Sequence, residues 1–211
     1  MSFQSLRQAV NGEIFDYQTL IYHLKEVKYP RAKIGRLLKN GDIIRVKKGL
    51  YLFGEMWRKG SISLEIAANL IYGPSCISFE YALFRYGMIA ERAVAITSLA
   101  IGRAREFETP IGTFRYRSID KNKFSVGIDY REIPGEGGFF IASKEKALAD
   151  VVSRIKTSLS ASDLLFFLTQ EMRIDEESLK SLDRKKMEEI SSVYKNKNVE
   201  KLYEQIRFRS N

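Results

Sequence analysis

Cysteine and histidine are almost missing from this 211-residue chain: Cys76 and His23 are the only ones. A single cysteine forms no internal disulfide, so a reducing cytoplasm is the expected location. One histidine and one cysteine exclude a His/Cys zinc site. The carboxylates show no spacing typical of a loop for a hard cation. No apolar run approaches the roughly 18 residues of a membrane span, so no membrane partner is expected. The opening Met1-Ser2-Phe3-Gln4-Ser5 lacks the basic start and apolar block of a signal peptide. Neither a Gly-x-Ser-x-Gly elbow nor a glycine-rich phosphate loop is present. Gly135-Glu136-Gly137-Gly138 precedes an expected strand rather than a helix. No cofactor is expected.

What is present is positive charge, and it is clustered. The net charge is +9. Residues 1–60 hold 12 Lys/Arg against 5 Asp/Glu, whereas residues 61–211 hold 23 against 21. A clustered excess of this sign is the footprint of a protein that meets nucleic acid. The asymmetry suggests two units, a basic one over 1–56 and a near-neutral one over 61–211. At 45% hydrophobic and 29% charged residues, the chain has the composition of a folded protein.

In the basic unit, Phe3, Leu6 and Val10 share a helical face that Asn11-Gly12 ends. Asp16 is placed to cap a second helix carrying Tyr17, Leu20, Leu24 and Val27 on one side. Pro30 suits the first turn of a third helix, because its missing N–H has no partner there. That helix is expected to run to about Asn40, with Gly41 as a left-handed stop. Ile34, Leu37 and Leu38 form its apolar face. At about 100° per residue the opposite face presents Ala32, Arg36 and Lys39, flanked by Lys33, Gly35 and Asn40. Small residues let a backbone approach a major groove, arginine pairs with guanine edges and lysine with phosphates.

Ile43–Val46 and Leu50–Phe53 then read as two strands around Lys47-Lys48-Gly49. Three helices and a basic hairpin are the order of a winged helix-turn-helix. The expected DNA contacts are Lys28, Arg31, Ala32, Lys33, Arg36, Lys39, Arg45, Lys47 and Lys48, with Arg45, Lys47 and Lys48 gripping phosphate from the wing. Double-stranded DNA is favoured over RNA, since no aromatic stacking platform is evident. Tyr29 and Tyr51 read as local packing. Gly54–Gly60 reads as a connector in which Arg58 and Lys59 extend the phosphate track and Trp57 anchors the two units together.

The second unit reads as α+β with a helical C-terminal tail. Helices are expected over Leu64–Ile71, Phe79–Tyr86 and Lys144–Ile155, the last capped by Ser143. Strands are expected at Cys76–Ser78, Ala93–Leu99, Arg105–Thr109, Gly112–Arg117, Phe124–Tyr130 and Phe139–Ala142. From about 160 onward the pattern is helical, with Ser160 or Ser162 as the first cap. Charges balance there, at 10 Lys/Arg to 10 Asp/Glu.

No catalytic residues are evident, and the chain is not expected to be an enzyme. His23 lies on the polar side of the second helix, and Cys76 sits in an apolar stretch with no histidine downstream to activate it. Asp129, Glu132 and Glu145 with Lys144 or Lys146 could be assembled into a nuclease-like cluster, but such sets can be drawn in most proteins of this size.

Three segments in order carry a family resemblance. Ile34–Tyr51 resembles the N-terminal domain of AbiEi-type antitoxins. Ile77–Gly87 is similar to that family's "strand, Ser, Ala-Leu, Gly" segment, and Ala142–Asp150 to its segment ending Ala-Leu-x-Asp. The match spans roughly 15–155. It implies a transcriptional autorepressor that binds inverted repeats in its own promoter. It also implies the antitoxin of a type IV toxin–antitoxin system linked to abortive phage infection, which counteracts a nucleotidyltransferase-like toxin without necessarily forming a stable complex. The alternative is a stand-alone regulator whose second unit senses a ligand or partner protein.

Overall fold

The computed structural model describes residues 3–91 and 93–209. Met1 and Ser2, with which the opening segment begins, lie outside the described residues. The chain is an α+β protein built from helices and two sheets, one of three strands and one of six.

The N-terminal part places α1 (Phe3–Ala9), β1 (Ile14–Asp16), α2 (Tyr17–His23), α3 (Pro30–Lys39), β2 (Ile43–Lys47) and β3 (Leu50–Phe53) around one apolar core. Asp16 caps α2, accepting from the Thr19 N–H at 2.8 Å. The helix is shorter than its periodicity suggests. It stops at His23, and the Val27 N–H closes a separate turn on the Leu24 carbonyl, bringing Leu24 and Val27 to the core without helix. Strand β1 is an element that periodicity missed, because three residues are too few to show alternation. It pairs antiparallel with β3, which also pairs antiparallel with β2.

A helical end and a close backbone crossing set the base of the β2–β3 hairpin. Gly41, at φ +75°, and Asp42 return their N–H groups to the carbonyls of Leu38 and Leu37, a Schellman end to α3. Gly54 crosses there so closely that a Cβ would stand 1.7 Å from the Gly41 carbonyl oxygen. Trp57 belongs to this core rather than joining the two parts. Its ring meets Phe3 edge-on at 4.8 Å, and its Nε1 donates to Asp42 Oδ1 at 2.8 Å.

Residues 59–60 are held by a buried ion pair. Arg7 binds Glu13 at 3.1 Å and lies 4.1 Å over the Phe53 ring, and both side chains are buried. The second Glu13 oxygen accepts from the N–H groups of Lys59 and Gly60.

The larger part contains α4 (Leu64–Ile71), β4 (Ser75–Ile77), α5 (Phe79–Arg85), β5 (Ile96–Ala100), β6 (Arg105–Thr109), β7 (Gly112–Ser118), α6 (Lys121–Phe124), β8 (Ile128–Ile133), β9 (Gly137–Ala142) and α7 (Lys144–Val152). Its strands run in the order β6-β7-β5-β4-β9-β8, with β5–β7 and β4–β9 parallel and the other pairs antiparallel. The expected strand over Phe124–Tyr130 forms only from Ile128, as β8, and runs on to Ile133. Asp120 caps a turn of helix through Phe124, and Gly127, at φ +64°, breaks the chain before β8. Gly127 is confined to glycine twice over, since a Cβ would stand 2.9 Å from the Lys146 Cβ.

The tail is part of the same core. It comprises α8 (Ala161–Phe166), a π-helical stretch (Phe167–Glu171), α9 (Glu176–Lys180), α10 (Arg184–Tyr194) and α11 (Lys197–Arg209). Ser160, not Ser162, caps α8, with Asp163 completing a capping box. Helices α10 and α11 pack on α7, as α5 does. Buried Asn198 accepts from the Leu159 N–H and donates to the carbonyls of Ile155 and Thr157, fastening the 155–159 connection to α11.

At the centre Asp150 is buried. It accepts from Ser78 Oγ at 2.6 Å and from the Tyr194 hydroxyl, and it faces the Lys146 ammonium at 3.8 Å. Lys146 donates to the Tyr194 hydroxyl at 2.8 Å and to the Lys123 carbonyl at 2.7 Å. Burial pushes the Asp150 carboxyl above its ordinary range, opposed by Lys146 and the two hydroxyls, and holds Lys146 below its own. Asp150→Ala strands a buried ammonium and two hydroxyls, with an expected loss of about 3–5 kcal/mol in urea unfolding. Ser78→Ala removes one bond of the set and is expected to cost about 1 kcal/mol.

Candidate nucleic-acid interface

The outer face of α3 is a consequence of its inner one. Ile34 and Leu37 are buried, so Arg31, Ala32, Gly35, Arg36, Lys39 and Asn40 are turned outward and exposed. Lys28 is exposed just ahead of the helix, and Lys33 is half-buried. A Cβ built on Gly35 meets nothing within 4 Å, so at that point the helix backbone is open to a close partner. On the hairpin, Arg45 and Lys48 are exposed, the latter in the turn that Gly49 closes at φ +86°.

Tyr17 joins the hairpin turn to the start of α3. Its N–H donates to the Gly49 carbonyl at 2.9 Å, and with Ile21 it lines a cleft of about 470 Å³ bounded by Lys28, Tyr29, Pro30, Arg31 and Ala32. Among the described residues, Lys28, Arg31, Lys33, Arg36, Lys39, Arg45 and Lys48 make no ion pair. Seven cations without a carboxylate partner repel one another, and an array of phosphates relieves that repulsion.

Lys47 does not belong with them. Its Nζ donates to the carbonyl of Ile71, the last residue of α4, and lies 5.9 Å over the Phe107 ring. The ammonium satisfies an open carbonyl at a helix C-terminus, where the helix dipole also favours a cation. Burial lowers its pKa from the ordinary lysine value. The hairpin that carries it is inserted rather than free: Val46, Leu50 and Leu52 are buried in the core of the larger part. Periodicity marked Lys47 as cationic but could not show that α4 ends beside it. Arg58, expected to extend the track, is half-buried with its Nε shielded from solvent, whereas Lys59 is exposed.

The tyrosines separate. Tyr51 is buried and stacks on Phe15, in line with local packing. Tyr29 is 63% exposed at the start of α3, with Lys28 Nζ 5.5 Å over its ring, and is an added candidate contact. Its position directly before Pro30 was the available signal.

The carboxylates considered for chemistry have separate settings. Glu145 is buried and accepts from the Asp183 N–H at 2.7 Å, Asp129 pairs with Lys186 at 3.7 Å, and Glu132 is exposed. Among the described residues no group of three His, Cys, Asp or Glu is placed to hold a metal. Cys76 is fully buried, and burial pushes its thiol well above the ordinary range. His23 is half-buried beside Tyr22. Among the described residues no helix is long and apolar enough to cross a membrane.

No protein-family model matches the sequence, and no curated protein matches it. The fold is similar to that of a solved structure, "Crystal structure of RV2827C protein from Mycobacterium tuberculosis", with a TM-score of 0.51 and 12% identity, over 99% of this chain and 80% of that one. The likeness is one of fold.

The different settings of two adjacent lysines make a paired prediction. Lys48→Gln is expected to flatten the salt dependence of DNA binding by about one counterion and to leave unfolding unchanged. Lys47→Gln is expected to do the reverse, costing about 1 kcal/mol of stability in urea with the salt slope intact.

Proposed function

We propose that the N-terminal part is a winged helix-turn-helix that binds duplex DNA, with α3 as recognition helix and β2–β3 as wing. We further propose that the protein is a non-enzymatic transcriptional autorepressor and the antitoxin of a type IV toxin–antitoxin system. The observation that carries the DNA reading is the unpaired cationic set Lys28, Arg31, Lys33, Arg36, Lys39, Arg45 and Lys48, which includes the outer face of a helix whose small residues Ala32 and Gly35 are exposed. In this reading Arg36, flanked by those small residues, addresses base edges in the major groove of promoter inverted repeats. Lysines and the wing arginine hold phosphates.

The antitoxin reading draws on the family resemblance and on one contact that unites its parts. Ser78 lies in the second resembling segment and Asp150 ends the third, and the two are bonded at 2.6 Å in the core of the larger part. Segments 72 residues apart are thus parts of one buried arrangement, a reason for them to occur together. The partner toxin is of the nucleotidyltransferase-like kind, and no stable complex with it is required.

Binding to the DNA upstream of its own gene is expected to weaken steeply with salt. Roughly six phosphate contacts give a slope of about −5 in log affinity against log salt. The double charge reversal Arg36→Glu with Lys48→Glu is expected to abolish the gel shift at unchanged circular dichroism. Retained binding by this variant rejects the surface.

The same full-length variant tests the second half. Co-expressed with the product of a neighbouring nucleotidyltransferase-like gene, it is expected to restore growth as the parent does, because antitoxicity resides in the larger part. Failure of the parent protein to restore growth rejects the antitoxin reading.

A further inference from the structure

The larger part contains a cavity of about 490 Å³ between α4 and the β8–β9 hairpin, remote in role from the cationic face. Its walls are apolar, formed by Ile66 and Leu70 of α4, Phe124 at the end of α6, Ile128 of β8 and Phe140 of β9. No charged side chain lines it. The volume falls within the range of small-molecule sites, and an apolar lining with few polar groups is their usual chemistry.

Two polar residues line the same cavity, and each carries a buried atom without a protein partner: Asn69 Nδ2 and Ser75 Oγ. Ser75 is 5% exposed. The orientation of the Asn69 amide is set by its neighbour. Its Oδ1 accepts from the Phe140 N–H at 2.6 Å, which leaves the NH₂ as the free end. Buried donors without partners cost free energy, so a core that retains two of them beside a cavity is arranged for something that supplies acceptors. Gly138, which also lines the cavity, is confined to glycine. At Gly138 a Cβ would stand 2.2 Å from the Tyr130 hydroxyl, so the aromatic ring of the opposite strand crosses where a side chain would otherwise project.

We propose that this cavity binds a small, uncharged, mainly apolar molecule through a carbonyl-type acceptor, with Asn69 Nδ2 and Ser75 Oγ as its hydrogen-bonding partners. A charged ligand is disfavoured, because nothing in the lining compensates a desolvated charge. The acceptor enters between α4 and β4, and the apolar body lies against Leu70, Phe124 and Phe140. The site is independent of the DNA reading and stands or falls separately from it.

The test uses the full chain and prodan, an uncharged naphthalene ketone whose emission moves to the blue in apolar surroundings. The expected result is a blue-shifted signal that saturates at one molecule per chain. Asn69→Asp keeps the acceptor for the Phe140 N–H but turns the free donor into an oxygen. It is expected to raise the dissociation constant about tenfold or more, at a temperature where circular dichroism shows the variant folded as the parent is. Leu70→Trp, at a half-exposed rim position that tolerates bulk, is expected to abolish the saturable signal. A signal that does not saturate, or that survives Leu70→Trp, overturns the site. Loss in Leu70→Trp with full affinity in Asn69→Asp overturns the acceptor chemistry and leaves an apolar groove of the kind that takes a protein side chain.

Discussion

The buried carboxylate of Asp150 is the constraint around which the larger part is arranged. A desolvated carboxylate is costly unless it is surrounded by donors and an opposite charge. Here these come from four places in the chain: Ser78 after β4, Tyr194 at the end of α10, Lys146 one turn back on α7 and, through Lys146, the Lys123 carbonyl of α6. Satisfying one group therefore specifies where a strand, two helices and a connecting turn must meet. The C-terminal helices are drawn in by the same requirement. They are not an appended tail, because Tyr194 closes the network and Asn198 completes the backbone bonding of the 155–159 connection.

The hairpin is the second organising element, because it serves two cores. Tyr51 and Phe53 of β3 face the small N-terminal core, while Leu50 and Leu52 face the large one. Lys47 adds a polar tie to the end of α4. The hairpin turns one lysine inward and leaves Arg45 and Lys48 outward, so the cationic surface is braced against the part of the protein that has near-neutral charge. The 59–60 connection is braced as well, through Glu13. These ties link the cationic face to the larger part by direct contacts rather than by a slack connector.

Local rules captured the elements whose signals are local. The Asp16 cap, Pro30 at the start of α3, the Gly41 stop, the Ser143 cap and the basic hairpin turn each follow from a residue's own stereochemistry or its bonding within three or four neighbours. What escaped those rules was decided at longer range. Strand β1 exists because β3 offers it an edge, and the break at Gly127 reflects the close approach of Lys146 and Ile190. The inward turn of Lys47 depends on a helix end 24 residues away. Tyr29 went the other way: its place directly before Pro30 set it at the start of α3, and packing left it outside.

By itself, then, the sequence determined the α+β class of the fold, most of its helices and strands, and which stretch bears the positive charge, since each depends on composition or on short-range periodicity. Only the tertiary structure decided which cations remain available to a partner and that Ser78, Asp150, Lys146 and Tyr194 form one buried group. It also decided that two unpartnered polar atoms border an apolar cavity. The physical reason is the same in each case. Burial and pairing are relations between residues distant in the chain, and a side chain's charge or hydrogen-bonding capacity says what it needs but not what will be beside it.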